Sequence, residues 1–322
     1  MFVFTTIFCQ HNIRGKVKSP FYFAAERKLL MNKVFLIAGG DLRFVTLAES
    51  LAKDYTVYAV GFDRNAVMSD RVRVIDRVTD MNVRADYIIL PLPVSGDGVM
   101  VSTPYSGKSI SLESLVPVIK ENGVVFGGMI APEIRMLFEE KGITVADYAK
   151  REEFAVLNAV ATAEGAIQVA MEELASTLSE RKVLILGAGR IAKVLIDMLS
   201  GFHTDVTVAA RKCSDLAWAR VYGCKAVRIN DMEDAIAESE IIFNTVPAVI
   251  LDEKKLKLIS KGCLVIDLAS KPGGVDFDMA GNLGVKAVWL LSLPGKVAPV
   301  TSGEVIAETV TNILSERGDL NG

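Results

Sequence analysis

The chain has 322 residues, of which 51% are hydrophobic and 23% are charged, so it is long enough for two ordinary domains and apolar enough to bury a large core. Its formal net charge of −3 gives no reason to expect nucleic acid as a partner, and without any run of about 18 apolar residues the sequence predicts no membrane span. The four cysteines and two histidines have no metal-ligand spacing, so we expect no bound metal and a reducing, cytoplasmic environment.

Residues 1–30 differ in character from the sequence that follows them. The apolar run over residues 1–9 precedes the basic residues, whereas a secretory signal has the opposite order. From Met31 the sequence changes at once to a strand that ends in glycines. We therefore expect Met31 to be the natural start and residues 1–30 to be a non-native or disordered extension. The alternative is a genuine, partly disordered arm, and the intact mass of the native protein distinguishes the two.

The first half, residues 31–149, has the pattern of a Rossmann-like domain, which we expect to hold the substrate or a partner. A strand at 33–38 runs into Gly39-Gly40-Asp41 and a helix near 43–52. Strands then alternate with helices, which indicates βαβ units and a parallel sheet. The further predicted elements are strands near 56–60, 87–90, 124–126 and 144–146, and helices near 112–120 and 132–141.

The strand at 87–90 is followed by a loop of unusual composition. Two prolines and two glycines lie between Pro91 and Gly98, so the strand ends there and the loop folds tightly. In doubly wound sheets, ligands bind outside the carboxyl ends of the strands. This loop, with Ser95 and Asp97, is in that position.

Two long helices are predicted to join the domains. Apolar residues keep helical spacing over residues 150–178, which predicts a linking helix within residues 150–180. Near the end of the chain, Thr301 begins a capping-box pattern and predicts a helix up to about Arg317. We expect this C-terminal segment, residues 298–322, to pack back on the first domain.

The strongest local signal opens the second half, residues 181–297. An apolar strand at 182–186 is followed directly by Gly187-Ala188-Gly189-Arg190-Ile191-Ala192, which is G-x-G-x-x-A, and by a helix near 191–199. Gly187 permits the sharp turn and Gly189 lets the backbone approach a pyrophosphate, which rests on the free N–H groups of the helix start. The pattern predicts a domain that binds a nicotinamide dinucleotide.

The next strand, at 205–209, indicates which dinucleotide. An NAD site has an acidic residue near the end of this strand, where it binds the ribose hydroxyls. This chain has Arg211 and Lys212 instead, and an arginine binds a 2′-phosphate through two hydrogen bonds. We therefore predict NADP, with NAD as the alternative if both cations are merely solvated surface charges.

Three further turns are predicted at the carboxyl edge of the second sheet, facing the interdomain cleft. Thr245, Val246 and Pro247 follow the strand at 241–244 and are expected to border the nicotinamide ribose. Asp267 ends the next strand and precedes Ser270 and Lys271, while Lys296 lies in the turn before the last helix. The alternative for Asp267 is that it only caps a turn, and the alternative for Lys271 is that it is only a solvated surface charge.

Nine short segments together form a pattern much more specific than the glycine fingerprint. They are Ala38-Gly39-Gly40-Asp41, Leu90-Pro91-Leu92-Pro93, Asp97-Gly98, Val125-Phe126-Gly127-Gly128, Asp147-Tyr148, Asn158-Ala159-Val160-Ala161-Thr162-Ala163-Glu164-Gly165, Leu186-Gly187-Ala188-Gly189-Arg190-Ile191, Asp267-Leu268-Ala269-Ser270-Lys271-Pro272-Gly273-Gly274 and Leu293-Pro294-Gly295-Lys296. With these segments the chain resembles the family of dipicolinate synthase A subunits of endospore-forming bacteria, from Met31 to about Arg317.

The resemblance implies a fold, a reaction and a partner. The fold is α/β, with two doubly wound, Rossmann-like domains of mainly parallel strands joined by long helices. The reaction is the oxidation of dihydrodipicolinate to pyridine-2,6-dicarboxylate with NADP+ as the hydride acceptor. The partner is the flavoprotein-like B subunit of dipicolinate synthase, which makes the assembly a hetero-oligomer in the cytoplasm of the mother cell during sporulation.

Placement at the cleft suggests roles that the family does not define. Asp97 or Asp267 is a candidate base if the cleft raises its pKa, and Lys271 is a third candidate catalytic residue. The candidate contacts for the substrate carboxylates are Ser95, Thr103, Ser270 and Lys296.

Two other functions remain open from the sequence. The same fold serves NADP-dependent dehydrogenases of other small acids, such as shikimate or methylene-tetrahydrofolate dehydrogenases. Because obvious acid–base residues are few, and His203 is the only histidine after Met31, a cofactor-binding scaffold without chemistry of its own is the second alternative.

Overall fold

The computed structural model describes residues 33–63 and 66–320, so the expectations for residues 1–30 lie outside it. Two six-stranded sheets are present, and all strand pairs within each sheet are parallel. The strands are β1 (Val34–Ala38), β2 (Thr56–Val60), β3 (Val72–Ile75), β4 (Ala85–Ile89), β5 (Ile119–Gly127), β6 (Thr144–Asp147), β7 (Lys182–Leu186), β8 (Asp205–Ala210), β9 (Lys225–Arg228), β10 (Ile241–Asn244), β11 (Leu264–Asp267) and β12 (Lys286–Trp289).

Helices cover both faces of each sheet. They are α1 (Leu42–Leu51), α2 (Pro132–Glu139), α3 (Glu152–Glu173), α4 (Arg190–Ser200), α5 (Cys213–Val221), α6 (Glu233–Glu238), α7 (Glu253–Leu256), α8 (Phe277–Leu283), α9 (Leu293–Val297) and α10 (Pro299–Glu316). Short 3-10 helices lie at Val78–Asp80, Glu113–Val118 and Tyr148–Lys150.

The strand order is β3-β2-β1-β4-β5-β6 in the first sheet and β12-β11-β10-β7-β8-β9 in the second. Counted from its own first strand, each sheet therefore has the doubly wound order 3-2-1-4-5-6, and the predicted fold class is confirmed. The central strands are almost entirely buried because helices cover both faces, which explains their continuous apolar sequences. In each sheet the order reverses beside the first strand, at β1/β4 and at β7/β10, and ligands bind at such points.

Helix α3 lies between the domains. It packs tightly on α9 at Gly165, where a Cβ atom would lie 3.1 Å from the side chains of Leu293 and Val297. By length and composition alone α3 is apolar enough to span a membrane, but half of its most apolar window is buried within the protein. The packing between domains accounts for this apolar character.

Helix α10 returns to the first domain and packs on α1. Ile306 and Val310 are fully buried in the same core as Phe35 and Phe44. The helices approach so closely that a Cβ atom at Gly303 would lie 2.3 Å from the carbonyl oxygen of Arg43. The core of the first domain is thus completed by residues from the far end of the sequence.

Three predicted elements are wrong in detail. Residues 112–120 form no α-helix, because Pro117 lacks the N–H that a helix interior requires, and β5 already begins at Ile119. The last helix begins at Pro299 rather than Thr301, since proline suits the first helical position. Residues 293–297 form the short helix α9 instead of a turn.

Candidate cofactor site and interdomain cleft

The turn after β7 requires a glycine at its first position. Gly187 has a φ of +101°, and a Cβ atom there would lie 2.4 Å from the hydroxyl oxygen of Thr245. That hydroxyl donates a hydrogen bond of 2.8 Å to the carbonyl of Leu186. The turn is therefore fixed against the end of β10, at the point where the strand order reverses.

The following residues leave the start of α4 open. Gly189 precedes the helix, and a Cβ atom at this position would meet no heavy atom within 4 Å. Gly189 has no side chain to cap the helix, and the first turn of α4 contains no acidic residue. The helix start thus has no side-chain cap and there is free space beside Gly189, an arrangement that suits the diphosphate of a dinucleotide.

The equivalent turn of the first domain is closed by its own residues. A Cβ atom at Gly39 would lie 2.6 Å from the carbonyl oxygen of Ser102, and the amide of Gly40 already donates to that oxygen. Asp41 caps α1 by accepting a hydrogen bond from the amide of Arg43, and its carboxylate also pairs with the Arg43 guanidinium at 2.8 Å. Of the two glycine turns, the one in the second domain is open to a diphosphate.

A basic turn follows β8. Arg211 and Lys212 are both exposed there, and neither pairs with a carboxylate of the described residues. Arg190, also predicted at the cofactor site, begins α4, but its guanidinium pairs with Glu152 at 2.6 Å. This contact joins the first turns of α3 and α4, and because both side chains are more than half exposed it adds little stability.

The ends of β10 and β11 are joined by a buried polar network. Asp267 is fully buried and accepts hydrogen bonds from the side-chain amide of Asn244 (2.7 Å) and the backbone amides of Ala269 (3.0 Å) and Gly274 (2.7 Å). The Asn244 amide also bonds both the N–H and the carbonyl of Val246. Asp267 thus holds the turn that carries Ser270 and Lys271, which matches the turn-cap alternative for this residue.

Asp97 lies in an exposed loop, where its carboxylate accepts hydrogen bonds from the amides of Val99 and Met100 and from the Ser95 hydroxyl. The bonds from Met100 and Val99, followed by that from Ser95, hold the pKa of the Asp97 carboxyl below its usual value. Asp97 was a candidate base on the condition that the cleft raises its pKa, and this condition is not met, because the loop supplies hydrogen-bond donors in place of an apolar enclosure.

The remaining candidates are spread along the carboxyl edges of both sheets. Ser270, Lys271 and Lys296 are exposed. Thr103 is partly buried above the first-domain turn, and its hydroxyl donates to the carbonyl of Lys108 at 3.2 Å. The described residues include no group of three or more acidic, histidine or cysteine side chains able to hold a metal.

Arg43 was not predicted as part of the cleft, because a charged residue in the first turn of a helix is ordinarily solvated. Its side chain is only 9% exposed, and it also donates to the carbonyl of Leu92 at 3.1 Å. A Cβ atom at Gly295 would lie 3.0 Å from Arg43 and 3.2 Å from Asp41. The ion pair of the first domain therefore lies directly against α9 of the second.

Known proteins resemble the chain in both halves. The family model of the N-terminal domain of the dipicolinate synthase A subunit matches residues 34–149, and that of shikimate / quinate 5-dehydrogenase matches residues 168–288. The dipicolinate synthase A subunit of Bacillus subtilis is 29% identical over 285 residues, which cover 87% of this chain and 95% of that protein.

Solved structures agree with these matches. The crystal structure of the dipicolinate synthase A subunit from Bacillus halodurans has a TM-score of 0.82 and 29% identity, and the alignment covers 88% of this chain and 98% of that one. A transhydrogenase from Sinorhizobium meliloti, at 17% identity and a TM-score of 0.65, covers 89% of this chain and 95% of its own and shares the fold alone. The resemblance predicted from the sequence is confirmed: the chain is similar to dipicolinate synthase A subunits over both of its domains.

Proposed function

We propose that this chain binds NADP in its second domain and oxidises dihydrodipicolinate to pyridine-2,6-dicarboxylate, acting with a B subunit in the cytoplasm of a sporulating mother cell. The proposal is supported by the similarity to proteins named as the A subunit of dipicolinate synthase, which extends over both domains. It is also supported by the match of residues 34–149 to the N-terminal domain of the dipicolinate synthase A subunit, because this domain would hold the substrate.

One observation carries the proposal: Gly189 and the uncapped start of α4 leave backbone donors free in the second domain, while the first domain closes the same position. The diphosphate would rest on the backbone from Gly187 to Ile191, and Arg211 with Lys212 would bind the 2′-phosphate. The backbone from Thr245 to Pro247 would border the nicotinamide ribose. When bound, NADP+ supplies the hydride acceptor.

The residues around the cleft would bind and orient the substrate. Its two carboxylates need cations and hydroxyl donors. The candidates for this role are Lys271, Lys296, Ser95, Thr103 and Ser270. Asp97 remains the accessible candidate to accept the proton, although its lowered pKa makes it a weaker base than the raised pKa first required of this role. Asp267 would act by positioning the turn that carries Lys271.

The match to shikimate / quinate 5-dehydrogenase favours a related but different reaction, the oxidation of another small acid. That match covers residues 168–288, which contain the cofactor domain and none of the first sheet. It therefore supports nucleotide binding and does not define the substrate.

The test is an assay of dihydrodipicolinate oxidation with NADP+, using the purified chain with and without the B subunit. We expect formation of pyridine-2,6-dicarboxylate and of NADPH in equal amounts. A Gly189→Ala variant, designed to weaken diphosphate binding, should raise the KM for NADP+ at least about 10-fold and lower the formation of both products when NADP+ is not saturating. If the chain and the B subunit together turn over equally well with Gly189→Ala, this chain is a cofactor-binding scaffold without chemistry of its own. If there is no turnover either with or without the B subunit, the proposed reaction is contradicted.

A further inference from the structure

A third cation lies beside the basic turn after β8. Arg228 is the last residue of β9, and its register partner in β8 is Ala210, the residue directly before Arg211. The amide of Ile229 donates to the carbonyl of Ala210 at 3.1 Å, which fixes the two strand ends together. The Arg228 side chain therefore starts one strand away from the predicted 2′-phosphate site.

The guanidinium of Arg228 is directed at that turn. Its Nη2 donates to the Sγ atom of Cys213 at 3.3 Å, and Cys213 is the first residue of α5, immediately after Lys212. The Arg228 side chain thus crosses from β9 to the β8–α5 connection and is exposed to solvent. Three cations are gathered at one connection.

This cluster has no acidic counterpart among the described residues. Neither Arg211, Lys212 nor Arg228 pairs with a carboxylate. The acidic residue in the first turn of α5, Asp215, lines the groove between α4 and α5 together with Lys193. Like charges so close together repel one another, and a bound dianion would relieve that repulsion.

We propose that Arg228 is a specificity-determining residue that binds the 2′-phosphate of NADP together with Arg211 and Lys212. This inference rests on the proposed function. A phosphate offers several acceptor oxygens, and a guanidinium offers paired donors in a fixed plane, so Arg228 discriminates between NADP and NAD while touching no other part of the nucleotide.

The experiment compares binding of NADPH and NADH to the full chain, by the fluorescence of the bound reduced nicotinamide. Arg228→Ala should raise the Kd for NADPH by about 10-fold or more, the loss of one charge-assisted contact, and leave the Kd for NADH within about 2-fold. The Kd of Arg228→Lys for NADPH should lie between those of the wild type and Arg228→Ala, because lysine keeps the charge but not the paired donors. Competition by 2′-phospho-AMP should weaken in parallel, and competition by AMP should not.

Arg220→Ala is the matched control, because Arg220 is exposed in the last turn of α5 and forms no ion pair with a described residue. It should leave both Kd values unchanged. If the wild-type protein prefers NADPH and Arg228→Ala keeps that preference, this inference is overturned and the proposed function stands. If the wild-type protein has no preference for NADPH, the choice of cofactor fails and the role of Arg228 fails with it.

Discussion

The guanidinium of Arg43 lies 2.8 Å from the carboxylate of Asp41 and closes the glycine turn of the first domain. The second domain has the same strand order and the same kind of turn, but Gly189 leaves its helix start open. One of two similar domains thus leaves the start of its first helix open, while the other uses the same position to contact α9. The difference lies in side chains, because the backbone topology is shared.

The Arg43–Asp41 pair should stabilise the first domain without contributing to nucleotide binding. Arg43→Ala removes a mostly buried cation, leaves Asp41 without its partner and frees the Leu92 carbonyl, so we expect a loss of about 2 kcal/mol in the free energy of unfolding. Urea unfolding measures this loss. Lys257→Ala, which breaks an exposed pair with Glu253, should cost less than about 1 kcal/mol. A folded Arg43→Ala protein that no longer binds NADPH would contradict the assignment of the site to the second domain.

Two glycines of one turn should respond differently to alanine. Gly187→Ala places a methyl group against Thr245 and strains a backbone with a φ of +101°, so we expect lower thermal stability and lost binding together. Gly189 has ordinary backbone angles and free space beside it, so Gly189→Ala should keep the Tm and still weaken NADPH binding at least about 10-fold. Calorimetry and titration of both variants separate the effects. Unchanged binding in Gly189→Ala would show that no diphosphate approaches this backbone.

Arg211 should govern the choice between the two nucleotides. Arg211→Ala removes a cation that binds the 2′-phosphate in the proposed complex, so the Kd for NADPH should rise about 10-fold or more while that for NADH changes little. The difference in the Kd for NADPH between the wild type and Arg211→Ala should shrink at high salt, since the contact is exposed and electrostatic. An equal loss for both nucleotides would reject the 2′-phosphate role.

Asp267 should prove structural when it is replaced by asparagine. The substitution exchanges one acceptor oxygen for an amide group among three buried donors, which leaves N–H groups unpaired and should cost about 2 kcal/mol of stability. Asp252→Asn is the control, because asparagine also caps helices well and Asp252 is half exposed. If Asp267→Asn loses all activity at unchanged stability, Asp267 is the base.

The pH profile tests Asp97. Its folded-state pKa is lowered, so its contribution to stability is present above the unfolded pKa of about 4 and is lost as the pH falls through the lower folded value. The carboxylate therefore remains charged between about pH 5 and 8. We expect no ionisation in kcat/KM over that range to come from Asp97. If kcat/KM of the wild type falls below about pH 6 and this fall is lost in Asp97→Asn, Asp97 does ionise in this range and the expectation is contradicted.

The fold class was predictable because its signals are local. An apolar strand, a glycine turn and a helix stand in immediate succession at β1 and at β7, and they specify a doubly wound domain without knowledge of distant contacts. The predictions for individual residues failed where contacts between distant parts of the chain determine the position of a side chain. The position of Asp267 beside Asn244 depends on strand register, and the closure of the first turn depends on Arg43 and Ser102, which the sequence places 59 residues apart.

The return of α10 to the first domain affects how the chain acquires its structure during synthesis. The first sheet leaves the ribosome before the second, yet Ile306, Val310 and Leu314 are needed to cover one of its faces. Until these residues emerge, apolar side chains such as Phe44 stay uncovered, and the earliest part of the chain is among the last to become protected. We therefore expect the first domain to stay incomplete for almost the whole of translation, and a fragment ending before α10 should aggregate when it is expressed alone.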